Sequence, residues 1–174
     1  MQAIAFADYD NIRPIAREYS DEDSEANAFQ IATRAVEICK SKFADVNEVI
    51  VRMYGGWTDI NGSPTDRAVR MYRVIGKLPR RLSGVRVTFE IPVSPIGFDG
   101  RLFGLLRSGE QKMVDTLLTA DLVWCSLSLD CPLLVMSDDD DMVPGTMCAA
   151  SSISDQWSRR PVCLSRVRAT NAAA

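Results

Sequence analysis

The chain has 174 residues, 47% hydrophobic and 25% charged, which suits one globular domain and argues against a disordered or collagenous polypeptide. It contains no histidine, which excludes Ser-His-Asp hydrolysis, histidine-based RNA cleavage and histidine-ligated zinc, and leaves carboxylate, lysine, arginine, hydroxyl and thiol chemistry. The net charge of −3 argues against a uniformly basic wrapper of nucleic acid.

Residues 3–7 are a short apolar run that stops at Asp8 and predicts a buried strand. Asn11 is placed to cap a helical turn in which Pro14 is tolerated. The acidic stretch 20–23 interrupts the pattern, and Ser24 is expected to cap a helix carrying Phe29, Ala32, Val36 and Cys39 at helical spacing. Residues 48–54 predict a second strand, and Gly55, Gly56 and Trp57 begin a loop that runs to Pro64. A helix is expected over 65–77, with Val69, Tyr72 and Gly76 on one face, and an alternating strand over 85–91. Pro92, Pro95, Gly97 and Gly100 mark a long connection. A helix over 109–122, a strand over 132–136, a short helix over 143–153 and a last strand over 162–164 complete the pattern. Strands alternating with helices predict an α/β fold with a parallel sheet covered on both faces. The folded unit is expected to span 1–168, with a frayed tail over 169–174.

The five cysteines, Cys39, Cys125, Cys131, Cys148 and Cys163, are odd in number and form no C-x-x-C pair, so they read as thiols of a reducing compartment rather than a disulfide or zinc scaffold. The first residues lack a basic targeting region, and Asp121 and Asp130 break the apolar stretch 116–136, so a cytoplasmic protein without a membrane span is expected. Charge is unevenly spread. Nine cations and three anions lie between Asp66 and Arg107, whereas acid is concentrated at 18–25 and 138–141.

Ligands of open α/β sheets bind beyond the carboxyl ends of the strands. Two predicted strands end in acid there, one at Asp8, Asp10 and Asn11, the other at Ser137 and Asp138 to Asp141. The helix over 109–122 starts at the same edge, with Glu110, Lys112 and Asp115 in its first turns and Lys112 and Asp115 on one face. Acids from three segments are thus expected to meet on one rim. Two carboxylates about 4 Å apart repel by roughly 4 kcal/mol at an effective dielectric near 20, so protonation or a cation must relieve them. Hard oxygen donors without histidine or thiolate select Mg²⁺ or Mn²⁺, and hydrolysis of a phosphodiester by a metal-activated water is the chemistry that fits. Asp138 and Asp140 read as solvated or capping groups. Asp8, Asp115, Asp139 and Asp141 are the set expected to bind metal.

Three motifs carry a family resemblance: D-x-x-N at Asp8 to Asn11, K-x-x-D with a later aspartate at Lys112, Asp115 and Asp121, and S-x-D-x-D-h-x-P (h apolar) from Ser137 through Asp139, Asp141 and Met142 to Pro144. With the turn Tyr54-Gly55-Gly56-Trp57, they resemble the NYN domains of the PIN-like nuclease superfamily over most of the chain. The resemblance implies a three-layer α-β-α sandwich with a mostly parallel sheet ordered 3-2-1-4-5. It implies a metal-dependent ribonuclease acting on single-stranded RNA. Asp8, Asp115 and Asp139 would be metal-binding carboxylates, Asp141 a further ligand or water-orienting acid, and Asn11 a residue that holds the loop or contacts phosphate. The sequence departs from the family pattern at Asp138, where a small residue is more usual, and in the acidic stretch 20–25.

Arg70, Arg73 and Lys77 fall on one flank of the helix over 65–77 and are expected to contact phosphates, or else to form a solvated face. Trp57, with Tyr9, is expected on the same rim, either stacking a base or packing. Two other readings compete. A haloacid-dehalogenase-like phosphatase would use Asp8 as nucleophile and Asp10 as acid/base, although Ile12 stands where that family has threonine or valine. A PIN-like module could also bind nucleic acid or protein without catalysis. A homo-oligomer or a regulatory protein partner is compatible with a chain of this size.

Overall fold

The computed structural model describes residues 1–12, 18–96, 105–107, 110–151 and 162–165. The turn expected around Pro14, the end of the last expected helix and the tail 169–174 lie outside them.

The first strand, β1 (Gln2–Asp8), alternates small and large residues. Ala3, Ala5 and Ala7 point to one side and Ile4 and Phe6 to the other, because successive strand side chains face opposite ways. The alanines leave room for α1 (Asp21–Lys42), which brings its own Ala28, Ala32 and Ala35 onto that face. Helix α1 starts earlier than the sequence suggests. Ser20, not Ser24, is the N-cap: Asp23 N–H donates to Ser20 Oγ at 3.2 Å, and Ser20 N–H donates back to Asp23 Oδ2 at 3.0 Å. The acidic stretch is therefore a capping box, and its charges complement the positive end of the helix.

Strand β2 (Glu48–Tyr54) leads to α2 (Asp66–Ile75), capped by Thr65. Its buried face is Ala68, Met71 and Val74, one step round from the expected Val69–Tyr72–Gly76 face, and Val69 and Tyr72 are exposed. Strands β3 (Arg81–Leu82) and β4 (Val85–Glu90) form a hairpin whose turn has Ser83 and Gly84 at positive φ. A second hairpin, β5 (Leu105–Arg107) with β6 (Glu110–Lys112), precedes α3 (Val114–Ser128). Strand β7 (Leu133–Met136), α4 (Met142–Ser151) and β8 (Val162–Ser165) follow.

The fold is α/β. Helices α1 and α2 share one apolar cluster with Ala3, Val49 and Val87, and α3 and α4 share another with Ile4, Phe6 and Val135, so helices cover both faces of the sheet. The expectation of a five-stranded, mostly parallel sheet ordered 3-2-1-4-5 needs correction. The main sheet has six strands, is mixed, and runs β3-β4-β2-β1-β7-β8. The cause is the Ser83–Gly84 turn, which folds Arg81–Leu82 back as an antiparallel edge strand beside β4. The β1–β2, β1–β7, β2–β4 and β7–β8 pairings are parallel. The helix expected from residue 109 is corrected too. Residues 110–112 are strand, and Met113, at φ 63°, turns the chain into α3. A Ser108-Gly109 dipeptide between two short runs is a hairpin signal that helical periodicity overrode.

No described helix is long and apolar enough to cross a membrane. Cys39, Cys125 and Cys131 are buried, and burial pushes the Cys125 thiol up to about 12.

Helices α3 and α4 approach closely at Gly145, where an added Cβ would sit 2.8 Å from Thr119 Cγ2. Alanine ordinarily favours a helix interior over glycine by about 1 kcal/mol. Here overpacking dominates, and Gly145→Ala is expected to destabilise the fold by roughly 1–3 kcal/mol in urea denaturation. Adding Thr119→Ala should recover most of that loss. An unchanged midpoint for the single variant would show that the helices separate freely.

Candidate functional site

The alternation of β1 puts Asp8 on the same side as Ile4 and Phe6, toward α3. Ala7 pairs with Met136, so Ser137, the next residue after β7, comes beside Asp8 on that side. The sheet register itself thus brings these two chain ends together. Asp8 is fully buried. Its Oδ2 accepts from Ser137 Oγ at 2.7 Å and from Asn11 Nδ2 at 3.0 Å. Its Oδ1 is buried and has no hydrogen-bond partner among the described residues. Desolvation pushes the Asp8 carboxyl up to about 6, against the two hydrogen bonds, with the charges of Asp115 and Asp10 adding to the rise.

Asn11 fastens the two loops. Its backbone N–H donates to Asp8 O at 3.0 Å, and its own carbonyl accepts from Asp138 N–H at 2.7 Å. Ser137, to which the sequence assigned no role of its own, is a second fastening point: its Oγ also accepts from Asp139 N–H at 3.1 Å. The motif S-x-D was its signal in the sequence. Asp139 Oδ1 in turn accepts from Asp141 N–H at 2.9 Å, which shapes the turn into α4.

Asp115 lies in the first turn of α3. Its carboxyl is raised by partial burial and then by the charges of Asp139 and Asp141. The charge of Asp115 thus reaches Asp8, and those of Asp139 and Asp141 reach Asp115. These acids are not drawn into a closed ligand set: among the described residues, no three Cys, Asp or Glu side chains are gathered so as to hold a metal ion. Three features nonetheless fit a hard divalent ion. The donors are all carboxylate oxygen, the Asp8 Oδ1 acceptor is orphaned, and Asp8 and Asp115 both bind protons more readily than ordinary aspartates.

The expected substrate residues are placed differently. Lys112 is in β6, before α3, so it does not share a helical face with Asp115. Arg70 and Arg73 remain on α2, but both face Asp21 of α1, at 3.6 and 3.2 Å. Helix α2 ends at Ile75, which leaves Lys77 beyond it. Trp57 is fully buried. Its Nε1–H donates to Met53 O at 2.8 Å and its ring packs against Tyr9, so neither ring is presented for base stacking.

Arg67 emerges as the organiser of that corner. Its guanidinium lies 4.9 Å from the Tyr9 ring centroid and 5.1 Å from that of Trp57. Nη1 donates to Asp10 Oδ2 at 2.8 Å, Nη2 to Asp10 Oδ1, and Nε to Glu18 Oε2 at 3.2 Å. The Tyr9 hydroxyl also donates to Glu18. Asp10, the acid/base of the phosphatase reading, is thus engaged by a bidentate arginine. Asp121, further along α3, is taken up by a network of its own. It is buried and accepts from Arg52, Tyr54 and the Ile96 N–H.

No protein-family model, no curated protein and no solved structure matches this chain.

Proposed function

We propose that this chain is a metal-dependent ribonuclease of the NYN, PIN-like kind, which hydrolyses phosphodiester bonds of single-stranded RNA. The observation that carries the reading is Asp8: a buried carboxylate at a strand end, with one oxygen held by Ser137 and Asn11 and the other unpartnered, near Asp115, whose carboxyl is also raised, by burial and then by the charges of Asp139 and Asp141. Asp8, Asp115 and Asp139 are the residues that would hold Mg²⁺ or Mn²⁺, with Asp141 as a further acid. The ion would supply charge neutralisation and an activated water. The protein's own part is positional. Ser137 and Asn11 aim Asp8, Ser137 ties the Asp139 backbone to it, and Asp139 Oδ1 fixes the backbone at Asp141. The preference for RNA, and for single strands, rests on the family resemblance.

Asp139→Asn tests the proposal, because asparagine keeps the oxygen that accepts from Asp141 N–H. Cleavage of a single-stranded RNA in Mn²⁺ is expected to fall by about 10²–10³, with metal-free stability unchanged within about 0.5 kcal/mol. Full retention of cleavage would overturn the reading, and a large drop in melting temperature would make Asp139 a structural residue.

A further inference from the structure

The cations between residues 67 and 89, where the sequence has no aspartate or glutamate, divide into two groups. Near the rim, Arg67 pairs with Asp10 and Glu18, and Arg70 and Arg73 pair with Asp21. Lys77 lies near Glu22, whose carboxyl is held down first by hydrogen bonds to the Glu22 backbone and Ser20 and only then by the Lys77 charge. At the far end of the sheet, Arg80, Arg81 and Arg86 are exposed and form no ion pair among the described residues.

Their arrangement works against the fold. The β3–β4 register sets Arg81 directly opposite Arg86, and like charges opposed across an antiparallel pair are destabilising. Arg80 is tied to the same hairpin, its carbonyl accepting from Val87 N–H at 2.9 Å. Lys40 brings another cation to the same turn by donating from Nζ to Ser83 O at 3.2 Å. Glu48 stands beside Arg86 in register on β2, without an ion pair between them. Glu48 begins β2, whereas Tyr54, at its other end, pairs with Asp8, so this corner lies about 20 Å from the carboxylate rim.

We propose that this corner, formed by Lys40, Arg80, Arg81 and Arg86, docks the phosphodiester backbone of a nucleic acid at a second surface, remote from the acids. Guanidinium forks match phosphate oxygens, and exposed cations gathered on one hairpin suit the backbone of a strand that crosses it. A lipid surface is disfavoured by the hairpin's own composition: Leu78 and Val85 are buried, and residues 78–87 expose no large apolar side chain to insert. The inference goes beyond the proposed cleavage and does not require it.

The test is binding in EDTA to a labelled oligouridylate of about 30 nucleotides, followed over a salt series. Replacing Arg80 by Ser, and Arg81 and Arg86 by Thr, is expected to weaken binding at least about tenfold and to flatten the slope of log K against log salt by about 2. The triple Arg→Lys variant should retain most of the affinity, which separates charge from folding. Cleavage is not read in EDTA, so loss of the catalytic reading leaves this one standing. Unchanged affinity and slope in the Ser/Thr/Thr variant would overturn the proposal. So would self-association of that variant with RNA binding intact, which would make the arginines guards of an edge strand, or a loss confined to phosphatidylserine vesicles.

Discussion

Asp121→Ala is expected to cost about 3–5 kcal/mol of stability, the largest effect of any single change considered for this chain. Asp121 is fully buried and takes three donors: Arg52 Nη2 at 2.9 Å, the Tyr54 hydroxyl at 2.8 Å and the Ile96 N–H at 2.7 Å. Burial works against the Arg52 charge, and Tyr54, Glu90 and Asp121 override it, so its pKa is raised. Removing Asp121 leaves Arg52 with Glu90, 2.6 Å away and partly solvated, and strands two further donors. Asp121→Asn keeps an acceptor and should cost less, about 1–3 kcal/mol. Replacing both charges, Arg52→Met with Asp121→Leu, should recover much of the loss, because desolvation of the pair disappears with it. Urea denaturation without metal reads all three. A cost below about 1 kcal/mol for Asp121→Ala would show that water enters the network freely.

Asp8→Asn is expected to abolish RNA cleavage and to change the pH dependence of folding in a definite direction. The folded-state pKa is raised, from 3.8 to about 6. The stability linked to Asp8 is therefore fully present below about pH 4 and is lost as pH rises through 6, where the folded protein must carry a buried charge. The size of that loss is roughly 3 kcal/mol by pH 7.5. The asparagine variant lacks it, although its amide must sit where Oδ1 has no partner, at a cost of about 1–3 kcal/mol at every pH. The variant should thus be the less stable protein at pH 4 and should draw level or pass the parent above pH 7. Metal-free melting of both proteins across that range is the measurement. Parallel curves would mean that Asp8 is not the buried titrating group and would remove the main support for a cation at the rim.

Much of this site was legible in the sequence, for identifiable reasons. An apolar run that stops at Asp8, and another that stops at Ser137, place two chain ends at the same edge of any parallel sheet, and the two-residue period of a strand then decides which face each side chain takes. The loop-holding role of Asn11 came only with the family resemblance; in the structure its amide donates to the Asp8 carboxylate. The errors arose where local pattern and tertiary partner disagree. Residues 110–112 have helix-compatible composition but pair antiparallel with 105–107. Trp57 follows two glycines, which left stacking and packing equally open, and Gly55 lies so close to its ring that an added Cβ would be 2.9 Å from it. The Ser20–Asp23 acids looked like a break and are a helix cap.

The sequence by itself determined the α/β class, the strand ends at which acid accumulates and the absence of histidine chemistry, because periodicity and residue type are properties of the chain alone. The tertiary structure decided which charges are already satisfied. Arg67 meets Glu18 across 49 residues, Arg52 meets Asp121 across 69, and Arg73 meets Asp21 across α1 and α2, whereas Arg81 and Arg86 stand opposite each other in register and form no ion pair among the described residues. Coulomb energy depends on distance in space and on the water excluded between two groups, and neither quantity is written in their separation along the chain.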